Sequence, residues 1–180
     1  MVPADPGTIA RGRHLYVSRG CTGCHGDAGQ GKLLFDAGPV ARIVPSNLTR
    51  TVRDPAWTDD ALAAAIDHAP RRRQAPPVAP TAEYGAYLAQ VCTGCHGTDF
   101  RGGMVMVPDT PPTANLTPHP DAMGHWSRDD FVRVMRTGVR PDGRELHPMM
   151  PWREFGTMTD TELDALWAHF GTLPPAPMRQ

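Results

Sequence analysis

The hexapeptide CTGCHG occurs twice in this chain, at residues 21–26 and again at 92–97. The two copies use all four cysteines and place a histidine directly after each C-x-x-C pair. Such pairs occur in thiol redox centres, in zinc sites and at sites of covalent haem attachment, where the next histidine binds the iron. The βαβ pattern expected of a redox thiol pair is absent, and the gap from Cys24 to Cys92 is far wider than usual zinc spacing. The paired histidines therefore favour haem.

The similarity between the two halves extends beyond the cysteines. Tyr16 and Tyr87 each lie five residues before the first cysteine of a motif. An Asn-Leu-Thr triplet follows each motif, at 47–49 and at 115–117, and a tryptophan later opens an acidic segment in both halves, WTDDAL and WSRDDF. This pattern indicates duplication of one module rather than a short-repeat solenoid.

The duplication predicts the division of the chain. We expect a truncated first domain at residues 1–68, a Pro- and Arg-rich linker at 69–80 and a complete second domain at 81–180. The linker sequence APRRRQAPPVAP contains prolines that exclude regular helix and favour an extended connector.

Helix signals recur at matching places in the two halves. Thr81 can cap a helix with apolar residues at i, i+3, i+4 and i+7, and Thr159 opens a capping box with Glu162, followed by a helix that stops near Gly171. Thr58 and Ser127 predict two further helices at 59–67 and 128–137. No convincing alternating strand appears, so the sequence predicts an all-α fold with long Pro/Gly loops.

Composition and charge limit the partners. The net charge is −1 and the pI about 6.7, which argues against nucleic acid. Hydrophobic residues make up 40% of the chain beside 20 prolines and 18 glycines, so the side-chain core is small and another group can fill the interior. No apolar run is long enough for a transmembrane segment, and no signal peptide is visible. The Pro-rich end, LPPAPMRQ, is consistent with an anchor tail or an ordinary disordered terminus.

On these motifs the chain resembles the cytochrome c family, and in particular the two-haem (diheme) cytochrome subunits of bacterial periplasmic dehydrogenases. The resemblance covers almost all of residues 8–175. It implies two fused helical modules, each wrapped around a covalently bound haem c that serves as its core. It also implies a periplasmic or otherwise exported location, with a leader already removed.

The resemblance assigns roles to particular residues. It implies attachment of the first haem at Cys21 and Cys24 and of the second at Cys92 and Cys95, with proximal iron ligands His25 and His96. It places four further residues near the haem edges: Asn47, Trp57, Asn115 and Trp126. For the two tryptophans, ordinary core packing is an equal alternative.

The sixth iron ligand differs between the halves. In GRELHPMMPWREF, Met150 stands at the Met-Pro position of the family's distal loop, with Met149 one residue away. No methionine lies between His25 and Met104, so the first module lacks this loop and its own closing helix. His68, at the end of the predicted middle helix, is the candidate ligand of the first haem. A vacant site, or a ligand imported from elsewhere, such as Met104 or Met106, is the alternative.

The expected function is electron transfer without substrate chemistry. The donor would be a dehydrogenase and the acceptor an oxidase or another cytochrome, and the sequence does not select between a monomer and an oligomer. A His-ligated first haem would lie at lower potential than a Met-ligated second haem, which would give the electrons a direction. The alternative is a peroxidase-like enzyme or small-ligand sensor that acts at an open first haem.

Overall fold

A computed structural model describes residues 5–33, 35–36, 42–45, 47–49, 75–106 and 108–180. The chain folds into two compact units. The first unit contains residues 1–73 together with 148–157, and the second contains residues 74–147 together with 158–180. The predicted boundaries did not anticipate that residues 148–157, which come late in the sequence, belong to the first unit.

The first unit contains three helices in its described part. They are α1 (Pro6–Ser18), α2 (Cys21–His25) and α6 (Trp152–Phe155). The described part of the same unit also holds an antiparallel pair of very short strands, β1 (Phe35–Asp36) and β2 (Arg42–Ile43). In this pair Phe35 lies opposite Ile43. Asp5 caps α1 by accepting a hydrogen bond from the Thr8 backbone N–H at 2.9 Å. Helix α6 contacts α1, so a segment from late in the sequence covers part of the first helix.

The second unit contains the remaining helices. They are α3 (Ala82–Leu88), which continues into a 3-10 helix (Ala89–Cys92), α4 (Thr93–His96), α5 (Arg128–Thr137) and α7 (Asp160–Gly171). Thr81, Ser127 and Thr159 are the N-cap residues of α3, α5 and α7, as predicted, and the last two form complete capping boxes. The predicted helix 59–67 lies outside the described residues.

The core of the second unit forms where α3 crosses α7. Gly85 of α3 faces the backbone of α7 at Ala165, and Leu88, Leu163 and Leu166 are almost fully buried beside this crossing. An aromatic cluster extends the core: the Phe170 ring lies 5.5 Å from Phe100 and 6.0 Å from Phe131, both nearly edge-on. The fold is all-α, and the short strand pair found in the described part of the chain does not change that class.

His169 gives this core a predicted dependence on pH. Its ring lies edge-on to Phe100 at 5.5 Å, and burial lowers the pKa of His169 from 6.5 because the charged form loses its hydration. The unfolded chain then binds the proton more tightly than the folded chain. The stabilisation is complete above pH 6.5 and is lost as the pH falls through the lowered value.

We therefore expect the free energy of unfolding to decrease on acidification below about pH 6.5, with a shallower decrease in His169→Gln. Denaturant unfolding of the haem-loaded protein at several pH values measures both slopes. Identical slopes for the two proteins would show that His169 does not contribute to the dependence.

None of the helices in the described ranges combines the length and the apolar character needed to cross a membrane.

Candidate haem sites

Both CTGCH motifs occupy short helical turns that end in the same way. The first forms α2, and the second spans the end of the 3-10 helix and α4. Each turn ends at a glycine with a positive φ angle, 77° at Gly26 and 78° at Gly97, which a glycine adopts without strain. None of the four cysteines is joined in a disulfide, and each is at least partly accessible. These sulfurs are therefore available for covalent attachment.

The backbone hydrogen bonds around the two motifs match pair by pair. The histidine carbonyl accepts from the amide six residues later in both units, His25 from Gly31 at 2.7 Å and His96 from Gly102 at 2.9 Å. The leucine of each Asn-Leu-Thr triplet donates back to the turn after the motif, Leu48 to Gly29 and Leu116 to Phe100. These repeated bonds show that the sequence duplication is also a duplication of local structure.

The His96 side chain is arranged as a proximal iron ligand requires. Its Nδ1 lies 2.7 Å from the carbonyl oxygen of Ala114, and only 7% of the residue is exposed. A carbonyl can only accept, so Nδ1 carries the proton and Nε2 keeps its lone pair for a metal. Burial lowers the pKa of His96, which favours the neutral form that binds iron.

The Asn-Leu-Thr triplets form equivalent turns. In each, the asparagine Oδ1 accepts from the threonine backbone N–H two residues later, at 2.8 Å for Asn47 and 2.9 Å for Asn115. The Nδ2 of Asn115 donates to the carbonyl of Ala176 at 2.7 Å. Both polar ends of Asn115 therefore hold the loop.

Trp126 lies beside the basic side chain of Arg140. The guanidinium of Arg140 is 6.0 Å from the centre of the Trp126 ring. The Arg140 Nε is buried and has no hydrogen-bond partner within the described part of the chain, since its nearest carboxylate oxygen, on Asp142, is 3.7 Å away. A buried guanidinium nitrogen that lacks a hydrogen-bond partner is suited to bind the carboxylate of a propionate side chain. Arg140 is therefore a candidate site residue that the sequence analysis did not name.

The first unit contains a cavity of about 810 Å³. It is lined by Ile9, Gly12 and Tyr16 of α1 and by the turn that contains Gly29. In the second unit Phe100 stands at the position of Gly29 and packs on Phe170 of α7. The cavity thus lies where the second unit has an aromatic side chain and a closing helix.

Several predicted site residues cannot be placed by this geometry. Trp57 and His68 lie outside the described residues. Met150 is partly buried in the segment that belongs to the first unit, whereas His96 belongs to the second. The pairing of Met150 with His96 therefore stays a prediction. Met104 and Met106 are exposed, at 37% and 43%.

Comparison with known families gives two matches. Residues 79–170, just over half of the chain, match the family model described as "Cytochrome C oxidase, cbb3-type, subunit III". Residues 9–87 match the model described as "Cytochrome c". Each match includes one CTGCH motif. No solved structure matches the chain significantly.

Several curated proteins are similar over about half of the chain. The cytochrome c subunit of the quinone alcohol dehydrogenase of Gluconobacter oxydans is 33% identical over 95 residues, 48% of this chain and 20% of the relative. The gluconate 2-dehydrogenase cytochrome c subunit of Pantoea cypripedii is 36% identical over 103 residues, which are 51% of this chain and 23% of the relative. The fructose dehydrogenase cytochrome subunit of Gluconobacter japonicus is 30% identical over 105 residues, which are 52% of this chain and 21% of the relative.

The chain thus spans less than a quarter of the length of these relatives. The two family matches, the repeated motif geometry and the buried His96 agree on one assignment. The chain belongs to the cytochrome c family, as two fused cytochrome c-like modules with two covalently bound haem c groups.

Proposed function

We propose that this protein carries electrons from a dehydrogenase to a downstream cytochrome or oxidase, in the periplasm or another exported location. The names of the relatives support a dehydrogenase as donor, because all three are cytochrome subunits of dehydrogenases. Each haem, when bound, stores one electron as its iron alternates between the ferric and ferrous states. The protein itself supplies the ligands, the burial and the hydrogen bonds that set the potential.

The single observation that carries this proposal is the hydrogen bond from His96 Nδ1 to Ala114. It fixes the ring and the tautomer and leaves Nε2 as the binding atom. By the same motif, we assign the attachment cysteines and proximal ligands of the two haems as Cys21, Cys24 and His25 for the first and Cys92, Cys95 and His96 for the second. Met150 is the proposed sixth ligand of the second haem.

The edge of the second haem is assigned to Trp126 and Arg140. The Arg140 Nε, which has no hydrogen-bond partner among the described residues, supports a propionate contact there, and the Trp126 ring lies 6.0 Å from the same guanidinium. Asn115 and Asn47 shape the loops next to the haems through their turn hydrogen bonds, in which both polar ends of Asn115 and the Oδ1 of Asn47 take part.

His68 is the proposed sixth ligand of the first haem, and a vacant site or a ligand imported from elsewhere, such as Met104 or Met106, is the alternative. The two alternatives imply different functions. A six-coordinate first haem supports pure electron transfer, whereas a vacant site would admit peroxide or a small ligand.

Intact mass and near-infrared magnetic circular dichroism test these assignments together. We expect the mass of the polypeptide plus two haems, and two low-spin signals, His/Met for one iron and His/His for the other. A mass without haem contradicts the assignment of the attachment cysteines. A high-spin signal at one haem, together with rapid cyanide binding and peroxide turnover, would contradict a pure electron-transfer function and support the peroxidase-like alternative.

A further inference from the structure

The segment 173–180, which follows α7, lies along the loop after the second CTGCH motif. The carbonyl of Ala176 accepts two hydrogen bonds, from Asn115 Nδ2 at 2.7 Å and from Thr117 Oγ1 at 3.0 Å. Thr117 is only 1% exposed, so this contact is shielded from water. Of the two alternatives that the sequence left open for this Pro-rich segment, an anchor tail or a disordered terminus, disorder does not describe the part around Ala176.

Further contacts hold the same segment on both sides of Ala176. Arg101 Nε donates to the carbonyl of Pro177 at 2.8 Å, and the Arg179 guanidinium pairs with the Asp99 carboxylate at 2.8 Å. Gly103 allows this close approach, because a Cβ there would lie 2.4 Å from the Arg179 carbonyl oxygen. The segment is thus bound to the loop through side chains, backbone and a steric fit.

The loop residues that the segment contacts are next to those that hold His96. Ala114, whose carbonyl accepts from His96 Nδ1, directly precedes Asn115. On the other side, the Gly102 amide donates to the His96 carbonyl, and Gly103 donates to Thr113 at 2.8 Å. Any movement of the loop away from the segment would shift the carbonyl that orients His96.

The first unit uses the matching threonine differently. The hydroxyl of Thr49 donates to Asn47 Oδ1 at 2.6 Å, within the same Asn-Leu-Thr turn. In the second unit the hydroxyl of Thr117 turns to Ala176 instead. In the second unit this turn therefore anchors another segment of the chain, residues 173–180.

We propose that residues 173–180 form a strap that holds the Ala114 carbonyl against His96 Nδ1, with Thr117 and Asn115 as its positioning residues. The inference rests on the proposed function, since it takes His96 as the iron ligand. A hydrogen bond from Nδ1–H to a carbonyl raises the basicity of the imidazole and so stabilises the ferric iron. When the strap is loosened, the ligand donates less strongly and the potential of the second haem rises.

The decisive comparison is Thr117→Val against Thr117→Ser, in the haem-loaded protein. Valine keeps the shape and removes the anchoring hydroxyl, whereas serine keeps the hydroxyl. We expect the Nδ1 proton of His96 to exchange with solvent about fivefold faster in Thr117→Val, as measured by NMR of the reduced protein. Thr117→Ser should exchange at nearly the original rate, and the second haem should titrate at a higher potential only in Thr117→Val.

Thr49→Val is the matched control, because it removes the equivalent hydroxyl in the first unit. It should leave the exchange rate at His96 unchanged. If Thr117→Val does not fold around its haem, Arg179→Gln replaces it, with about twofold faster exchange expected and Arg179→Lys as its charge-keeping control. Equal exchange rates of the His96 Nδ1 proton in Thr117→Val and Thr117→Ser, or in the two Arg179 variants, would contradict the proposal that residues 173–180 hold the Ala114 carbonyl against His96.

The same spectra separate this outcome from a failure of the proposed function. An imidazole bound to haem iron shows large upfield ring-current shifts. If His96 in the unsubstituted protein lacks these shifts, the ligand assignment fails. If the shifts are present but the exchange rates do not respond to the variants, only the strap is wrong.

Discussion

Replacing Met150 with alanine is expected to lower the reduction potential of the second haem by roughly 0.2 V. Axial ligands set haem potentials over a range of about 0.8 V, and a thioether favours the ferrous state more than water or a second histidine does. The change should also abolish the weak long-wavelength absorption that an iron–methionine bond produces. Spectroelectrochemical titration, with the two haems followed separately, measures the shift.

Met149→Ala is the matched control for this prediction. Met149 is 47% exposed, and we expect its removal to leave both potentials close to their original values. If the methionine absorption is lost in Met149→Ala and kept in Met150→Ala, the sixth ligand is Met149 and the prediction for Met150 is wrong. If Met150→Ala changes the reduction potential of the first haem alone, Met150 is instead a ligand of the first haem, in the unit to which residues 148–157 belong.

The sequence predicted those parts of the fold whose causes are local. The N-caps Thr81, Ser127 and Thr159 are side chains that satisfy free amides within three residues, so their effect can be read directly from the spacing. The haem motif is equally local, because the cysteines and the histidine share one helical turn. Helix α1 begins with an equally local signal, because Asp5 is its N-cap and Pro6 is its first helical residue. The sequence analysis did not use this signal to predict α1.

The features that the sequence did not reveal depend on contacts between distant residues. The membership of residues 148–157 in the first unit is an example. Phe155 is buried with its ring over Gly20, 3.3 Å from the place of a Cβ there, and no local pattern around either residue indicates that contact. The prediction of a complete second domain assumed that neighbouring residues in sequence pack together.

Phe100 and the strap are further examples of such distant causes. Phe100 has a φ angle of 58°, an uncommon conformation for a bulky residue, which its packing against Phe170 and His169 of α7 stabilises. The carbonyls of Ala176 and Pro177 are backbone groups, and their identity as acceptors is invisible in the sequence. Sequence patterns show side-chain chemistry more readily than they show which backbone groups meet.

Helices α3 and α7 approach each other most closely at one glycine. A Cβ on Gly85 would lie 1.9 Å from the carbonyl oxygen of Ala165 and 2.7 Å from the Cβ of His169. The nearest of these atoms belongs to the helix backbone, which cannot rotate away as a flexible side chain can. An added methyl group must therefore push the two helices apart along the best-packed part of the second unit, where Leu88, Leu163 and Leu166 are almost fully buried.

Gly85→Ala is accordingly expected to destabilise the second unit by about 3 kcal/mol, although alanine is the better helix former. Gly12→Ala in α1 is the matched control: among the described residues, no atom apart from its chain neighbours and its own helix backbone lies within 4 Å of its Cβ position. There the substitution should stabilise the helix by up to about 1 kcal/mol. Denaturant unfolding followed by circular dichroism and haem absorbance measures both changes. If Gly85→Ala unfolds at the same denaturant concentration as the original protein, the close contact of α3 with α7 is wrong.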